Sequence, residues 1–320
     1  MAESRELPPV GNRTAMADVV ARNPGPAWGY RFLLTADRLA PRWLLRPLLQ
    51  AGTWVAVAVM PGQRRNSRAF LSTVLGHPVG IVAVWRHFFA FLDFLLVRIR
   101  AAHGAPPPCT VADPDAAVAK AFEGLLESDE PAFFGTFHFG YSELLGFLLG
   151  RRNRRVAMIR RRVGNSEDTR WLGREFGEAV SFIWSNEPAD LPFQIKAAVE
   201  SGASVAMQCD RLESSSRSAG FEFLGARRLF PFTIYHLAVL FDRPVAFCIA
   251  VPRPSGAIEL APAPIFRPDQ AMGREANLNR AREHFQDVLG WLETRVRQDP
   301  RLWFNFLPLN PQAPPASALT

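Results

Sequence analysis

The chain has 320 residues, of which 48% are apolar and 25 are phenylalanine, with a formal net charge of +7. That length suits one large α/β domain with a helical attachment, and the apolar content excludes intrinsic disorder. The arginine excess fits a polyanionic partner, nucleic acid or a phospholipid surface, and the choice rests on where the arginines fall. Cys109, Cys209 and Cys248 are isolated and odd in number. They support neither a disulfide framework nor a zinc knuckle, and a reducing, cytosol-facing compartment fits them best.

Residues 1–27 are polar and proline-bearing, and their start, MAESRELPPVGNR, lacks the basic end, apolar run and cleavage site of a secretory signal. Export is therefore not expected. Residues 28–105 are expected to form a helical, membrane-associating region built on two apolar stretches. In the first, 43–60, Arg46, Pro47 and Gln50 interrupt the run and leave only 51–60 unbroken. A spanning helix needs about 20 residues. The second, 79–97, carries Arg86, His87 and Asp93. It suits a helix lying in the membrane interface or packed on a partner, with a pair of ordinary buried helices as the alternative.

A proline-rich break, APPPCTVADPD at 105–115, marks the boundary, with Asp113 or Asp115 as the candidate cap of a helix running through Leu126. Beyond it, β-rich runs near 132–137, 155–159, 180–184, 204–209 and 245–251 alternate with helical segments near 142–149, 166–176, 189–200, 232–241 and 272–298. Alternation of this kind predicts an α/β fold over 106–310, a mostly parallel central sheet flanked by helices, with active groups at the carboxyl ends of the strands. Residues 311–320 are expected to form a disordered tail.

The stretch AFFGTFHFGYSELLGFLLG reads as a buried strand, a turn and a helix, which puts His138 at a strand's carboxyl end. On one continuous helix His138 and Glu143 would stand about 140° apart. A turn through Gly140 lets Glu143, in the first helical turn, fold back onto one imidazole nitrogen and leave the other as a base. The competing explanation is a helix-start glutamate beside a packed histidine.

Seven arginines occur between positions 151 and 162, around a short strand at 156–159. Arg160 and Arg161, at the strand's exit, are candidates for gripping a phosphate, because guanidinium forks bind it bidentately. Arg151, Arg152, Arg154 and Arg155 read as an anionic-membrane patch. Asp210 and Arg211 follow another strand and should face the same crevice as His138, unless they are a salt-bridged loop anchor. Gly225 and Pro231 read as loop-shaping. Phenylalanines within 221–232 are candidates for an acyl groove, although core packing is the commoner explanation. The remaining histidines show no carboxylate at readable spacing.

The segment H-F-G-Y-S-E at 138–143 resembles the H-x4-D/E signature of the glycerolipid acyltransferase superfamily, in particular the branch containing the late acyltransferases of lipid A biosynthesis. V-A-M-Q-C-D-R at 205–211, F-L-G at 223–225, F-P at 230–231 and W-F-N-F at 303–306 resemble further elements of that branch, as do R-R-N-S-R at 64–68 and L-G-H-P at 75–78. The likeness covers roughly 28–306 and departs from the pattern after Phe306, where L-P-L replaces an aromatic and acidic ending.

The resemblance implies an O-acyltransferase at the cytoplasmic face of the inner membrane, peripheral or monotopic. It would move a fatty acyl chain from acyl carrier protein or coenzyme A to a hydroxyl of a lipid or glycolipid. His138 and Glu143 would be catalytic, and Arg160, Arg161, Asp210, Arg211, Gly225 and Pro231 would shape or bind substrate, with neither metal nor cofactor required.

Two rivals stand beside this reading: an acyl hydrolase using Ser142, since G-Y-S begins like a nucleophile elbow although Leu144 replaces its second glycine, and a non-catalytic lipid-binding relative. Nucleic acid is disfavoured, because no recognisable binding signature accompanies the charge.

Overall fold

The computed structural model describes residues 27–102, 105–112, 115–142, 144–152, 154–161, 179–185, 190–212 and 217–313. The polar segment at 1–26, the helix expected at 166–176, Glu143 and everything after 313 lie outside them.

Among the described residues the first elements are four helices: α1 (Ala27–Leu39), α2 (Arg42–Val59), α3 (Pro61–Leu75) and α4 (Ile81–Ala102). Leu45 and Leu49 of α2 are buried with Leu96 of α4, and Val57 of α2 with Val84 and Phe88. Among the described residues no single helix is long and apolar enough to cross a membrane. The pair 43–59 and 61–75 meets that test only together, and it is bent by 98°.

The rest is an α/β unit containing β1 (Cys109–Val111), α5 (Ala116–Glu127), β2 (Phe133–Thr136), α6 (Leu144–Arg151), β3 (Val156–Arg160) and β4 (Val180–Trp184). These are followed by α7 (Leu191–Glu200), β5 (Ser204–Gln208), β6 (Ser218–Phe223), β7 (Ala226–Pro231), α8 (Thr233–Phe241), β8 (Val245–Pro252), β9 (Ile258–Pro262) and α9 (Arg274–Gln298). The expected helix cap is Asp115, which accepts from the Ala117 amide at 2.8 Å.

Seven strands form one sheet in the order β1-β9-β8-β2-β5-β3-β4. Every neighbouring pair is parallel except β8 with β9. The central strands are covered on both faces, which is why β2 and β8 read as continuous apolar runs rather than alternating ones. The proline-rich break is not wholly a linker, since Cys109–Val111 within it pairs with β9 as the sheet's edge.

β6 and β7 make a separate hairpin whose turn places both Leu224 (φ 51°) and Gly225 (φ 72°) in the left-handed region. Gly225 is therefore a turn former, as expected, and the non-glycine Leu224 carries the strain. The tail expected to be disordered from 311 is ordered through Ala313, the last described residue. The Leu229 amide donates to the Pro311 carbonyl at 3.0 Å and the Ala313 amide to the Arg227 carbonyl at 2.8 Å, because the open edge of a two-stranded hairpin has backbone groups to satisfy.

One continuous core joins helices and sheet, from Phe70, Leu71 and Phe94 through Phe304 to Phe247 and Phe285. The block at 303–306 is the weld. Phe304 stacks on Phe94 at 5.2 Å, and Phe306 lies 4.5 Å from the His87 ring. His87 is fully buried; its Nε2 bonds to the Trp303 carbonyl and its Nδ1 to the Ser67 hydroxyl, both at 2.8 Å.

Candidate active site

β2 and β5 are parallel neighbours in the register Phe133 with Val205 through Thr136 with Gln208. Extending that register two residues past both strand ends sets His138 opposite Asp210. The His138 amide donates to Asp210 Oδ2 at 2.9 Å, and the ring contacts Asp210 Oδ1 through Nδ1 at 2.7 Å. One carboxylate thus holds both the backbone and the imidazole of a single residue.

Asp210 is fully buried while the His138 side chain keeps 13% of its surface exposed. Burial pushes the Asp210 carboxyl up, but the charge of His138, its two hydrogen bonds and Arg211 outweigh burial, so the group stays below the ordinary carboxylate range. An ionised carboxylate only accepts, so Nδ1 carries a proton, and in the neutral ring Nε2 is then the nitrogen that accepts. Among the described residues nothing bonds to Nε2.

The segment after His138 is fixed from two sides. Phe304 donates to the His138 carbonyl at 2.6 Å and Gly140 to the Leu302 carbonyl at 2.7 Å, while Tyr141 donates to the Ala250 carbonyl at 2.6 Å. Gly140 has φ +62°, and a Cβ there would stand 2.2 Å from the Ala250 carbonyl oxygen, so only glycine fits. On the segment that pairs with His138 and Phe139, Asn305 Oδ1 and Trp303 Nε1 are buried without a partner among the described residues.

Asp210 was expected as a strand-end residue of the same crevice; its bond to His138 was not. Local spacing points to Glu143, five positions away, whereas this carboxylate comes from 72 positions away and is visible only through the strand register. Ser142 is buried, its hydroxyl donating to the Phe139 carbonyl at 2.5 Å, so it is a turn residue and not an exposed nucleophile.

Arg160 and Arg161 sit at the carboxyl end of β3, the strand next to β5, at the levels of Gln208 and Cys209 by register. Both are half-buried, and Arg161 Nε has no partner among the described residues. Pro231 is buried at the end of β7.

One expectation needs correction, and for the phenylalanines core packing prevails over the groove. Arg154 is no membrane residue. It is buried, donating to the carbonyls of Leu125 (2.8 Å), Ser128 (2.6 Å) and Glu130, because the end of α5 and the connection to β2 have carbonyls outside the helix and sheet ladders to satisfy. It also precedes β3, at the opposite end of the sheet from His138. Phe221, Phe223, Phe230 and Phe232 line no groove; all are buried, in edge and tilted contacts with Phe285 and Trp303.

A scan against models of known protein families finds no match for this chain, and no curated protein matches it either. The site therefore stands on its geometry. Among the described residues no group of three or more His, Cys, Asp or Glu side chains is arranged to hold a metal ion.

Proposed function

We propose that this protein is an O-acyltransferase in which His138, oriented by Asp210, activates a hydroxyl for attack on an acyl thioester. The observation that carries the reading is the contact of Asp210 with both the amide and Nδ1 of His138 at a strand end, with Nε2 left to act. Nε2 takes the hydroxyl proton as the oxygen attacks the thioester carbonyl. The tetrahedral intermediate then expels the thiolate, which recovers the proton from the imidazolium. Asp210 keeps the ring in one tautomer and stabilises the transient imidazolium.

The donor we propose is acyl carrier protein or coenzyme A, and the acceptor a hydroxyl of a membrane lipid or glycolipid at the cytoplasmic face of the inner membrane. Arg160 and Arg161 would receive a phosphate of donor or acceptor. The orienting role expected of Glu143 goes to Asp210 in this scheme. With Ser142 committed to its own turn, no covalent acyl-enzyme is needed.

The test incubates purified protein with each acyl thioester and extracted membrane lipids and follows lipid masses. The wild type should add one acyl mass to a hydroxyl-bearing lipid, and folded His138→Ala should be slower by about 100-fold or more. Lipid binding without turnover would support the non-catalytic alternative, and an acyl adduct lost in Ser142→Ala would support the hydrolase.

A further inference from the structure

Between positions 38 and 92 the sequence holds seven arginines and neither aspartate nor glutamate. The same segment carries ten of the fourteen exposed large apolar side chains among the described residues, so exposed apolar surface and positive charge coincide on the helical layer.

The two are arranged on α2 and α3. On α2, Leu45, Leu49, Thr53 and Val57 are buried at four-residue intervals on the face turned to α4. The opposite stripe of Leu44, Leu48, Ala51, Val55 and Val59 is exposed, Val55 to 61% and Val59 to 69%. A water-facing stripe on an ordinary amphipathic helix is polar, and this one is wholly apolar along about 23 Å of helix. Trp43 stands 76% exposed near one end. Trp54 stacks on Trp85 at 5.6 Å, and Trp85 on Phe89 at 5.2 Å, so aromatic rings flank the stripe as they do at membrane interfaces.

Where α2 turns 98° into α3, Arg64, Arg65 and Arg68 line a hollow of about 520 Å³ with Pro61 and Gly62, and no acidic side chain takes part. Arg64 donates to the Val57 carbonyl at 2.9 Å, tying the corner to the last turn of α2, while Arg65 and Arg68 are exposed.

We propose that α2 lies flat on an anionic phospholipid bilayer, its outer stripe in the acyl region, and that the corner hollow binds a lipid phosphate through Arg65 and Arg68, with Arg64 holding the corner. A second copy is the poorer occupant, because a two-fold contact would set these arginines against their own copies with no acid between them. The proposal deepens the membrane side of the acyltransferase reading, and its test is independent of catalysis.

The test is flotation of the purified full-length protein with vesicles of phosphatidylcholine, with and without phosphatidylglycerol, alongside melting curves of each variant. The wild type should favour the anionic vesicles. Arg65→Ala with Arg68→Ala should lower partitioning onto them by about 30-fold, roughly fivefold per arginine, and leave partitioning onto neutral vesicles unchanged. Leu48→Glu with Val55→Glu should abolish binding to both, and Leu48→Gln with Val55→Gln, milder on folding, should weaken both.

Unchanged flotation of folded variants would overturn the proposal. So would release of bound protein by inorganic phosphate, which would mean a free-anion site, or a wild-type dimer that the Leu48 and Val55 substitutions dissociate, which would mean that a second copy covers the face.

Discussion

His87 makes the fold sensitive to acid in a way that can be calculated. Its burial lowers the imidazole from the ordinary 6.5 to about 4, against smaller upward effects of the Trp303 bond and Asp299. The unfolded chain takes up this proton near 6.5 and the native protein not until about 4, so between those values the unfolded state binds more protons. Stability from this residue is complete above the unfolded value and is lost as the pH falls toward the folded one. Integrating over that interval gives a loss of about 2 kcal/mol at pH 5 and about 3 kcal/mol at pH 4.

The ring holds the Trp303 carbonyl, and the next residue's amide holds the carbonyl of His138, so the weakened joint is the one that backs the site. Urea unfolding of the wild type and His87→Gln at pH 7.5, 6 and 5 isolates the effect. The wild type should lose about 2 kcal/mol more than the variant between the extremes, other buried histidines contributing equally to both. Parallel loss in the two proteins would refute the burial argument.

Gly140→Ala should cost about 2 kcal/mol or more, from its left-handed backbone and the contact with the Ala250 carbonyl; a melting temperature within error of the wild type would contradict it. Arg154→Leu leaves the carbonyls of Ser128 and Glu130 without their Arg154 donor and that of Leu125 with the Ser128 hydroxyl alone, and should cost about 3 kcal/mol in urea unfolding, a loss under about 1 kcal/mol being the contrary result. Asn305→Leu removes a buried acceptor that has no partner among the described residues, so stability should hold or rise. A clearly lower melting temperature would contradict it.

The buried parallel strands were legible because a strand covered on both faces reads as a near-continuous apolar run, as β8 does throughout and β2 and β5 do in part, at 133–134 and 205–207. β1 and β9 were not, since prolines bracket three- and five-residue segments that pair only with each other and with β8. The β6–β7 hairpin lacks an Asn-Gly or Asp-Gly turn, and Leu224 in the left-handed region is not a readable signal.

The position of His138 just past a strand end was legible because a strand followed by a glycine turn is a local pattern. Its partner Asp210 is set by the pairing of two strands distant in sequence, which no local spacing encodes. Arg154 was misread for the related reason that a buried cation among surface arginines looks the same in sequence.

The central claim is that Asp210 holds His138 as the base. The most direct measurement is kcat for thioester-to-hydroxyl acyl transfer in Asp210→Asn, with Glu143→Gln and His138→Ala assayed beside it. The account predicts that folded Asp210→Asn loses about 100-fold or more, approaching His138→Ala, because the amide no longer fixes the tautomer or stabilises the imidazolium. Activity within tenfold of the wild type in Asp210→Asn, with Glu143→Gln inactive, would contradict it.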